Sequence, residues 1–385
     1  MPSTNTSAIQ KSDKDRTALV IAGKALVLFA FLNFLFFIWN PLPALGRISA
    51  YNKLFPGRVR LPYGDNPQSS YNISLFNLNA MLASHELWGS EKPQDEFRVI
   101  LIGDSATWGF LLPPEHTLSA YINEENIKLP DGKRLHAYNL GYPVMSLTKD
   151  LLFLDRALQF NPDMIIWPVT LESFPKDKLL FPPLLQNNPE AVLDLLSRYN
   201  LDLEIPTDEF EGASLWDRTI TGARRSLADI VRLQLYGVMW AATGIDQEIP
   251  DTFTPRMEDL PEDLNFHEIP PPQLDEEQLA FDVLNAGIER AGNIPVLILN
   301  EPMFVSQGVN SELRYNFYYP RWAFDDFREM MSEQSEAKKW NYYDFWNAIP
   351  AAEFTNSAIH MTPEGTRQFA GMITDVILEF VSENQ

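Results

Sequence analysis

Residues 97–110 read FRVILIGDSATWGF, and this stretch decides which fold the chain is expected to adopt. An apolar run of strand character ends abruptly here at Gly103, Asp104 and Ser105. A run that stops at a glycine, an acid and a small hydroxyl residue is typical of a buried strand that delivers a side chain to the edge of a sheet. Ser105 is therefore the first candidate for a reactive residue.

Strand and helix patterns alternate along the rest of the chain. We predict strands at residues 135–146 (with a tight turn), 164–169, 295–300 and 340–345, and helices at 117–127, 147–160, 189–199, 275–291, 321–334 and over the C-terminal stretch. This alternation predicts an α/β domain with three layers, in which a parallel sheet lies between helices. Reactive groups are expected at the carboxyl ends of the strands, which is where residues 103–105 lie.

A second stretch, SAIHMTPEGTRQFAGMI at residues 357–373, supplies a candidate base. Thr362 can cap the final helix, Pro363 suits its first turn and Glu364 complements its dipole, so His360 is expected on the loop just before that helix. A serine hydroxyl is a weak nucleophile and needs such a base within hydrogen-bond reach. The sequence therefore predicts a pair formed by Ser105 and His360, although a single loop histidine can also be an ordinary surface residue.

These two stretches together resemble the first and last sequence blocks of the SGNH (GDSL) hydrolases. The resemblance implies a flavodoxin-like parallel sheet, with Ser105 as the nucleophile and His360 as the base. The order of the predicted strands and helices resembles the family over residues 97–382, whereas the matching sequence motifs comprise about thirty residues. In that family an aspartate lies three residues before the histidine, whereas this chain has Ser357 there, with Asn356 beside it. A dyad of Ser105 and His360 would have to work without the usual orienting carboxylate, or borrow one such as that of Glu353.

The resemblance also suggests which groups would stabilise an oxyanion, and here the chain departs from the family pattern. Val144 takes the place of a glycine in the second block, with Gly141 three residues earlier. Thr170, Glu172 or Ser173 follows the third strand in place of an asparagine. Asp104, next to the nucleophile, completes the set of candidates for this part of the site.

A different type of site is suggested by RYNFYYPRW at residues 314–322. Aromatic rings stack on sugars, and arginines bind carboxylates or phosphates. A loop that only packs over the sheet edge explains the composition equally well. The candidates for substrate binding in this stretch are Arg314, Tyr315, Asn316, Arg321 and Trp322.

Composition excludes several classes of function. The formal net charge of −22 and pI near 4.6 leave no basic surface for nucleic acid. The chain has no cysteine, which excludes disulfides, thiolate nucleophiles and cysteine-based metal sites. The remaining histidines, His85, His116, His136 and His267, show no ligand spacing, so we predict no metal site and no cofactor.

The N-terminal part of the chain predicts a membrane anchor. Residues 1–17 form a polar tail expected to be disordered, and residues 18–39 are apolar over about the ~20 residues that a helix needs to cross a bilayer. A cleaved signal peptide is the alternative. Residues 40–95 are predicted to be a connecting segment laid against a domain at 96–382. Basic residues flank both ends of the span, so only the resemblance, and not the charge, suggests an extracytoplasmic domain.

A long insertion is expected at about residues 175–272, between the third and fourth strands. Its aromatic part, with Trp216 and residues 236–247, fits a lid, a docking face or ordinary core.

Two functional hypotheses follow from these observations. The first is a membrane-anchored esterase or O-acyltransferase that acts on an acyl group of a cell-envelope glycan or lipid. Acetyl is the acyl group that we expect. The resemblance to anchored members of the family adds a membrane acyl-transport protein as a partner. The second hypothesis is a catalytically inactive binding or assembly protein at the membrane. Their test is whether the Ser105 Oγ and His360 approach hydrogen-bond distance in the folded domain.

Overall fold

The computed structural model describes residues 6–55, 57–63, 73–89, 91–201, 203–205, 210, 214–243 and 252–384. At its centre is a sheet of parallel strands, β1 (Glu96–Leu101), β2 (Arg134–Asn139), β3 (Met164–Val169), β4 (Val296–Asn300) and β5 (Asn341–Asp344). The strand order is β2-β1-β3-β4-β5. This is the flavodoxin-like order, whose direction reverses between β1 and β3, and it confirms the predicted α/β fold.

Helices surround the sheet on both faces. In chain order the α-helices are α1 (Thr6–Trp39), α2 (Leu42–Gly46), α3 (Leu78–Ala83), α4 (Ser105–Trp108), α5 (Leu118–Glu124), α6 (Leu147–Ala157), α7 (Pro183–Gln186), α8 (Pro189–Tyr199), α9 (Arg224–Thr243), α10 (Phe281–Ala291), α11 (Arg321–Lys338) and α12 (Pro363–Glu383). Helices α6, α10 and α11 pack on one face of the sheet, and α5 and α12 pack on the other. The three predicted layers are therefore present.

Strand residues alternate between the two cores because successive side chains of a strand point to opposite faces. Ile100 and Ile165 belong to the larger core with α6 and α10, whereas Val99 and Leu101 belong to the core with α12. Both sets are fully buried. A strand covered on both faces needs a continuous apolar run, which is the pattern that led to its prediction.

Three helices are shorter than predicted. Helix α5 ends at Glu124 rather than at residue 127. Helix α6 ends at Ala157 and tightens into a 3-10 turn at Leu158–Phe160, after which Asn161 adopts a left-handed conformation with φ 52°. Helix α10 begins only at Phe281, because Glu276–Gln278 form a separate 3-10 turn. All three differences lie at helix ends, where capping geometry rather than apolar periodicity sets the boundary.

Helix α1 contains the predicted anchor. The segment Arg16–Trp39 has 24 residues and a mean hydropathy of 2.3, and none of its most apolar part is buried in the protein. It is long and apolar enough to cross a membrane, and a signal sequence shares these properties. The prediction of a disordered tail is wrong for residues 6–17, which continue the helix back to Thr6. Extending an existing helix costs much less than nucleating one; residues 1–5 lie outside the described residues.

The connecting segment holds the start of the domain in place. The Arg60 guanidinium donates to the carbonyl oxygens of Gly109 and Leu112, both at 2.9 Å, and lies 4.1 Å from the centre of the Trp108 ring. The Trp108 indole N–H donates in turn to the carbonyl of Leu61 at 2.7 Å. Residues 57–63 therefore brace the helix that begins at Ser105, while residues 64–72 lie outside the described part of the chain.

The insertion contains α7, α8 and α9. Helix α8 buries Val192, Leu195 and Leu196 against the larger core. Helix α9 packs instead on the segment that follows α1. Residues 202, 206–209, 211–213 and 244–251, which include the end of the aromatic stretch 236–247, lie outside the described residues.

Candidate active site

Ser105 lies just beyond the carboxyl end of β1, as the first residue of α4. The Asp104 carboxylate caps this helix by accepting a hydrogen bond from the Ala106 N–H at 2.8 Å. Gly103 has φ +149°, and a Cβ on it would lie 2.5 Å from Thr107 Oγ1. The chain can make this sharp turn from strand to helix only because residue 103 has no side chain.

His360 lies on the loop before α12, as its flanking residues predict. Thr362 caps α12 by accepting from the Gly365 N–H at 3.1 Å, and the Thr362 hydroxyl donates to the Glu353 carboxylate. The His360 carbonyl accepts from the Thr355 N–H at 2.8 Å. These bonds fix the backbone of the loop and leave the imidazole free to face the sheet edge.

The imidazole joins two other side chains. His360 Nε2 lies 2.8 Å from Ser105 Oγ, and His360 Nδ1 lies 2.8 Å from Asn356 Oδ1. Because an amide oxygen only accepts hydrogen bonds, Nδ1 carries the ring proton and Nε2 is left to accept the serine proton. A serine, a histidine and an orienting group connected in this way have the geometry of a nucleophile with its base.

Asn356 is the part of this arrangement that the sequence alone did not assign. It lies four residues before His360, one position earlier than the aspartate of the family pattern. The suggested substitute, Glu353, does not serve the imidazole, because its carboxylate accepts from Thr362 instead. Ser357, at the family position, bonds to Tyr318 rather than to the histidine.

Burial determines the protonation state of the His360 imidazole. Phe110 stacks on the His360 ring with centroids 4.7 Å apart. Loss of solvent lowers the pKa of His360 from 6.5 to about 4. With a neutral amide at Nδ1 rather than a carboxylate, nothing in the triad offsets this effect. His360 is therefore neutral at pH 7, which is the state that a general base requires.

A buried group of charged side chains lies directly behind Ser105. The Lys149 ammonium donates to the Gly103 carbonyl at 2.7 Å and to the Tyr142 carbonyl, and it lies 2.8 Å from Asp150 Oδ1. The Glu301 side chain, directly after β4, hydrogen-bonds to Asp104. Burial raises the pKa of both carboxyls, that of Glu301 well above its usual range, so Glu301 is the protonated partner that donates to Asp104.

Two of the candidate oxyanion donors are already in use. The Gly141 N–H donates to Asn139 Oδ1 at 3.0 Å. Thr170 is fully buried, and its hydroxyl lies 2.9 Å from the Tyr319 hydroxyl. Val144 is exposed on the loop after β2. The Gly141 N–H is therefore not available to an oxyanion. The Thr170 hydroxyl would be available only if it became exposed.

Glu172 forms a polar cluster of its own after β3. Its carboxylate accepts from Lys178 Nζ at 3.2 Å and lies 2.8 Å from His267 Nε2. A cavity of about 570 Å³ opens beside His267 and is lined also by Lys176, Asp177 and Glu268. The carboxylate is thus paired with neighbouring side chains, which moderates the repulsion it would exert on an oxyanion.

The Arg314 guanidinium is enclosed by backbone carbonyls, which favours loop packing over ligand binding for this residue. Arg314 is buried, and it donates to the carbonyls of Asp263 at 2.6 Å and of Phe317 and Tyr318 at 3.0 Å each. Asn316 is also fully buried and donates to the Phe304 carbonyl at 3.0 Å. These two residues build the loop after β4.

The other candidates of this stretch hold the same loop against its neighbours. Tyr315 donates to Asp325 at 2.8 Å, and Arg321 lies 4.3 Å from the centre of the Tyr315 ring. The Trp322 indole N–H donates to the carbonyl of Leu264 at 2.6 Å. The polar groups that would contact a sugar are therefore used within the protein, and the packing alternative explains this stretch.

Tyr318 is the residue of this stretch that reaches the candidate site. Its hydroxyl hydrogen-bonds to Ser357, and burial raises its pKa, with the charges of Glu172 and Asp104 acting in the same direction. Like Glu301 and Lys149, it was not predicted as a site residue. The sequence could have indicated Glu301, because an acid directly after a buried parallel strand lies at the same sheet edge as Ser105.

In sequence, the chain matches no family model, and no curated protein matches it significantly. Among solved structures, a putative lipolytic protein of the G-D-S-L family from Desulfitobacterium hafniense DCB-2 aligns with 73% of this chain and 99% of its own, at 13% identity and a TM-score of 0.31. A carbohydrate acetylesterase family member from Sinorhizobium meliloti aligns with 74% and 99%, at 12% identity and a TM-score of 0.31. The fold assignment rests on the sheet order and layers themselves.

Proposed function

We propose that this chain is a membrane-anchored serine esterase or O-acyltransferase of the SGNH type. The observation that carries the proposal is the chain of contacts from Ser105 Oγ to His360 Nε2 and from His360 Nδ1 to Asn356, each 2.8 Å long. Chance rarely places a hydroxyl, a neutral imidazole and an orienting amide in this order at the carboxyl edge of a parallel sheet, where such folds bind their ligands.

The proposed reaction begins with attack of Ser105 Oγ on the carbonyl carbon of an acyl ester while His360 Nε2 accepts the serine proton. The tetrahedral intermediate collapses when the imidazolium returns this proton to the leaving alcohol, which leaves an acyl-serine. Water, or the hydroxyl of an acceptor, then attacks the acyl-serine with His360 again as the base, and the second intermediate collapses when the imidazolium returns the proton to Ser105 Oγ, which leaves as the free hydroxyl. The first outcome is ester hydrolysis and the second is acyl transfer.

Each neighbour has a role in this scheme. Asn356 holds the imidazole in the tautomer with its proton on Nδ1, so that Nε2 faces the serine. Oxyanion stabilisation is assigned to the backbone N–H groups of Ser105 and Val144, because the Gly141 and Ala106 amides are already paired. The apolar span Arg16–Trp39 would hold the domain next to envelope glycans or lipids, with acetyl as the first acyl group to test.

The experiment is turnover of p-nitrophenyl acetate by the full chain in detergent. Ser105→Ala and His360→Ala are expected to lose activity to the level of the uncatalysed reaction. The matched control is His136→Gln, which replaces a histidine in the middle of β2. Activity that survives Ser105→Ala would show that Ser105 is not the nucleophile.

A binding or assembly protein without catalysis is the second candidate. It is favoured by the amide in place of an orienting carboxylate, since a neutral Asn356 does not stabilise the imidazolium that forms during attack. Complete absence of turnover in the wild type, both with p-nitrophenyl acetate alone and with added glycan acceptors, would favour this function.

A further inference from the structure

Helix α9 presents an apolar face to its surroundings. Val231, Leu235 and Met239 are 62%, 68% and 58% exposed, and Ala228 and Ala242 are exposed on the same side. Their spacing of three, four, four and three residues places them in one stripe along the helix. The outer face of a surface helix in a soluble domain is ordinarily polar. The stripe of α9 is therefore suited to an apolar environment.

The opposite face of α9 is already packed against the domain. Leu233 is buried in a small cluster with Tyr51 and Ala80. At Gly237 a Cβ would lie 2.3 Å from an atom of the Tyr51 ring, so the glycine permits close contact. The orientation of the helix is thus fixed, and the apolar stripe is not the side that the core uses.

The position of α9 next to the anchor indicates what covers the stripe. The Gln234 side chain donates to the Ile48 carbonyl at 2.8 Å and accepts from the Ala50 N–H at 2.7 Å. These residues follow the end of α1 at Trp39 by about ten positions. The helix therefore lies against the first part of the chain to leave the apolar span.

A direct contact between α1 and the turn before α9 indicates how deep the start of α9 lies in the bilayer. Asn33 Oδ1 of α1 lies 3.4 Å from both the N and Oγ1 of Thr221, in the turn before α9. Asn33 lies six residues before Trp39, which corresponds to roughly 9 Å along a helix at ~1.5 Å per residue. Amphipathic helices at a membrane interface bury their apolar face to a depth of about 5–10 Å. Thr221 and the start of α9 are at this depth if α1 crosses the bilayer.

The charges near α9 match the surface of an anionic bilayer. Arg224, Arg225 and Arg232 are exposed on α9, where Arg232 also pairs with Asp229 at 2.9 Å, and Arg47 and Lys53 are exposed on the segment that α9 contacts. They stand out in a chain whose formal net charge is −22. Basic residues beside an apolar stripe bind lipid headgroups while the stripe enters the acyl region.

We propose that α9 is an interfacial helix, with its apolar stripe in the bilayer that α1 spans and its arginines at the headgroups. The proposal rests on the anchoring role given to α1 under the proposed function, and not on the hydrolase activity. A second membrane contact beside α1 holds the domain to the bilayer at two places. The sheet edge that carries Ser105 is then held at a set orientation to the membrane.

The absence of cysteine in the chain allows a clean test. Single cysteines are introduced by Leu28→Cys in the span, Leu235→Cys on the stripe and Ser332→Cys on α11, which packs at the edge strand β5. Each full-length variant is labelled with a bimane fluorophore and reconstituted into phosphatidylcholine–phosphatidylglycerol vesicles with brominated acyl chains. We expect the bromines to quench the labels at 28 and 235, and to leave the label at 332 unquenched.

The outcomes separate the two proposals. Quenching at 28 without quenching at 235 overturns the interfacial helix and leaves the anchor intact. No quenching at either position overturns the anchor, and the interfacial helix with it. A blue-shifted but unquenched label at 235 means that another protein surface covers the stripe, which also overturns the proposal. Leu235 is exposed, so its replacement does not disturb the core, and p-nitrophenyl acetate turnover reports on the hydrolase separately.

Discussion

Asn356 Oδ1 lies 2.8 Å from His360 Nδ1, so the base of the candidate site is oriented by an amide and not by a carboxylate. An amide fixes the tautomer of the imidazole as a carboxylate does, but it adds no negative charge. The lowered pKa of His360, about 4, follows from burial without such a charge. The site therefore has the geometry of a triad with a weak base.

Replacement of Asn356 by aspartate is expected to strengthen this base. A carboxylate next to His360 favours the imidazolium and raises the pKa of His360 from about 4. The acid limb of kcat/KM should move to higher pH, and the rate near pH 8 should rise by about tenfold, as expected for a better matched general base. The measurement is the pH profile of p-nitrophenyl acetate hydrolysis by wild type and Asn356→Asp.

Ser357→Asp is the matched control for this change. It introduces the same charge at the position that the family pattern would suggest, but Ser357 bonds to Tyr318 and not to His360. We expect its acid limb to stay where it is in the wild type. A shift in Ser357→Asp with none in Asn356→Asp would contradict the role given to Asn356.

His85 makes folding stability depend on pH. It is fully buried, and desolvation lowers its pKa from 6.5 to about 4. Between these values the unfolded chain binds a proton that the folded chain does not, so stability falls as the pH decreases from 6.5 towards 4. His85 should account for about 2 kcal/mol of the loss between pH 7 and pH 5.

The test compares chemical denaturation at both pH values in wild type and His85→Gln. The variant is expected to lose less stability than the wild type between pH 7 and pH 5, whatever its stability at pH 7. His360 and the buried carboxyls titrate in both proteins, so the difference isolates His85. An equal loss in the two proteins would mean that His85 does not titrate in this way.

Lys149 is expected to be essential for the fold around Ser105. Lys149→Met removes the ammonium that faces Asp150 and bonds the carbonyl of Gly103, and breaking a buried pair in this way costs about 3–5 kcal/mol. Glu301→Gln should cost much less, since a protonated Glu301 and a glutamine both donate a hydrogen bond. The free energy of unfolding is the measurement, with exposed Lys128→Met as the control. Similar values for Lys149→Met and Lys128→Met would contradict the assignment.

Gly103→Ala should reduce activity because the strand-to-helix turn cannot hold a side chain. At φ +149° the new Cβ would meet Thr107 Oγ1 at 2.5 Å, and relief of this clash must move Ser105, two residues away. The cost in stability is about 1–3 kcal/mol. Gly132→Ala is the control, since Gly132 also has a positive φ, +88°, but has nothing within 4 Å. Full hydrolase activity in Gly103→Ala would show that the turn tolerates the displacement.

The sequence predicted secondary structure correctly where the conformation of a short stretch depends mainly on its own residues. The apolar run before Gly103 predicted β1, and Thr362, Pro363 and Glu364 predicted the start of α12, because strand patterning and helix capping depend on residues within a few positions. The aromatic stretch 314–322 was ambiguous for the opposite reason. Composition does not reveal whether the Arg314 guanidinium faces a ligand or the five backbone acceptors that surround it.

The sequence by itself thus determined the α/β class, the position of the apolar span, the strand end that precedes Ser105 and the loop that carries His360. Only the tertiary structure decided that these side chains, 255 residues apart, meet at 2.8 Å, that Asn356 hydrogen-bonds to the histidine and that Lys149 and Glu301 contact the two residues before Ser105. The physical reason is that strand order and side-chain burial depend on contacts between distant segments. Periodicity and capping carry no information about these contacts.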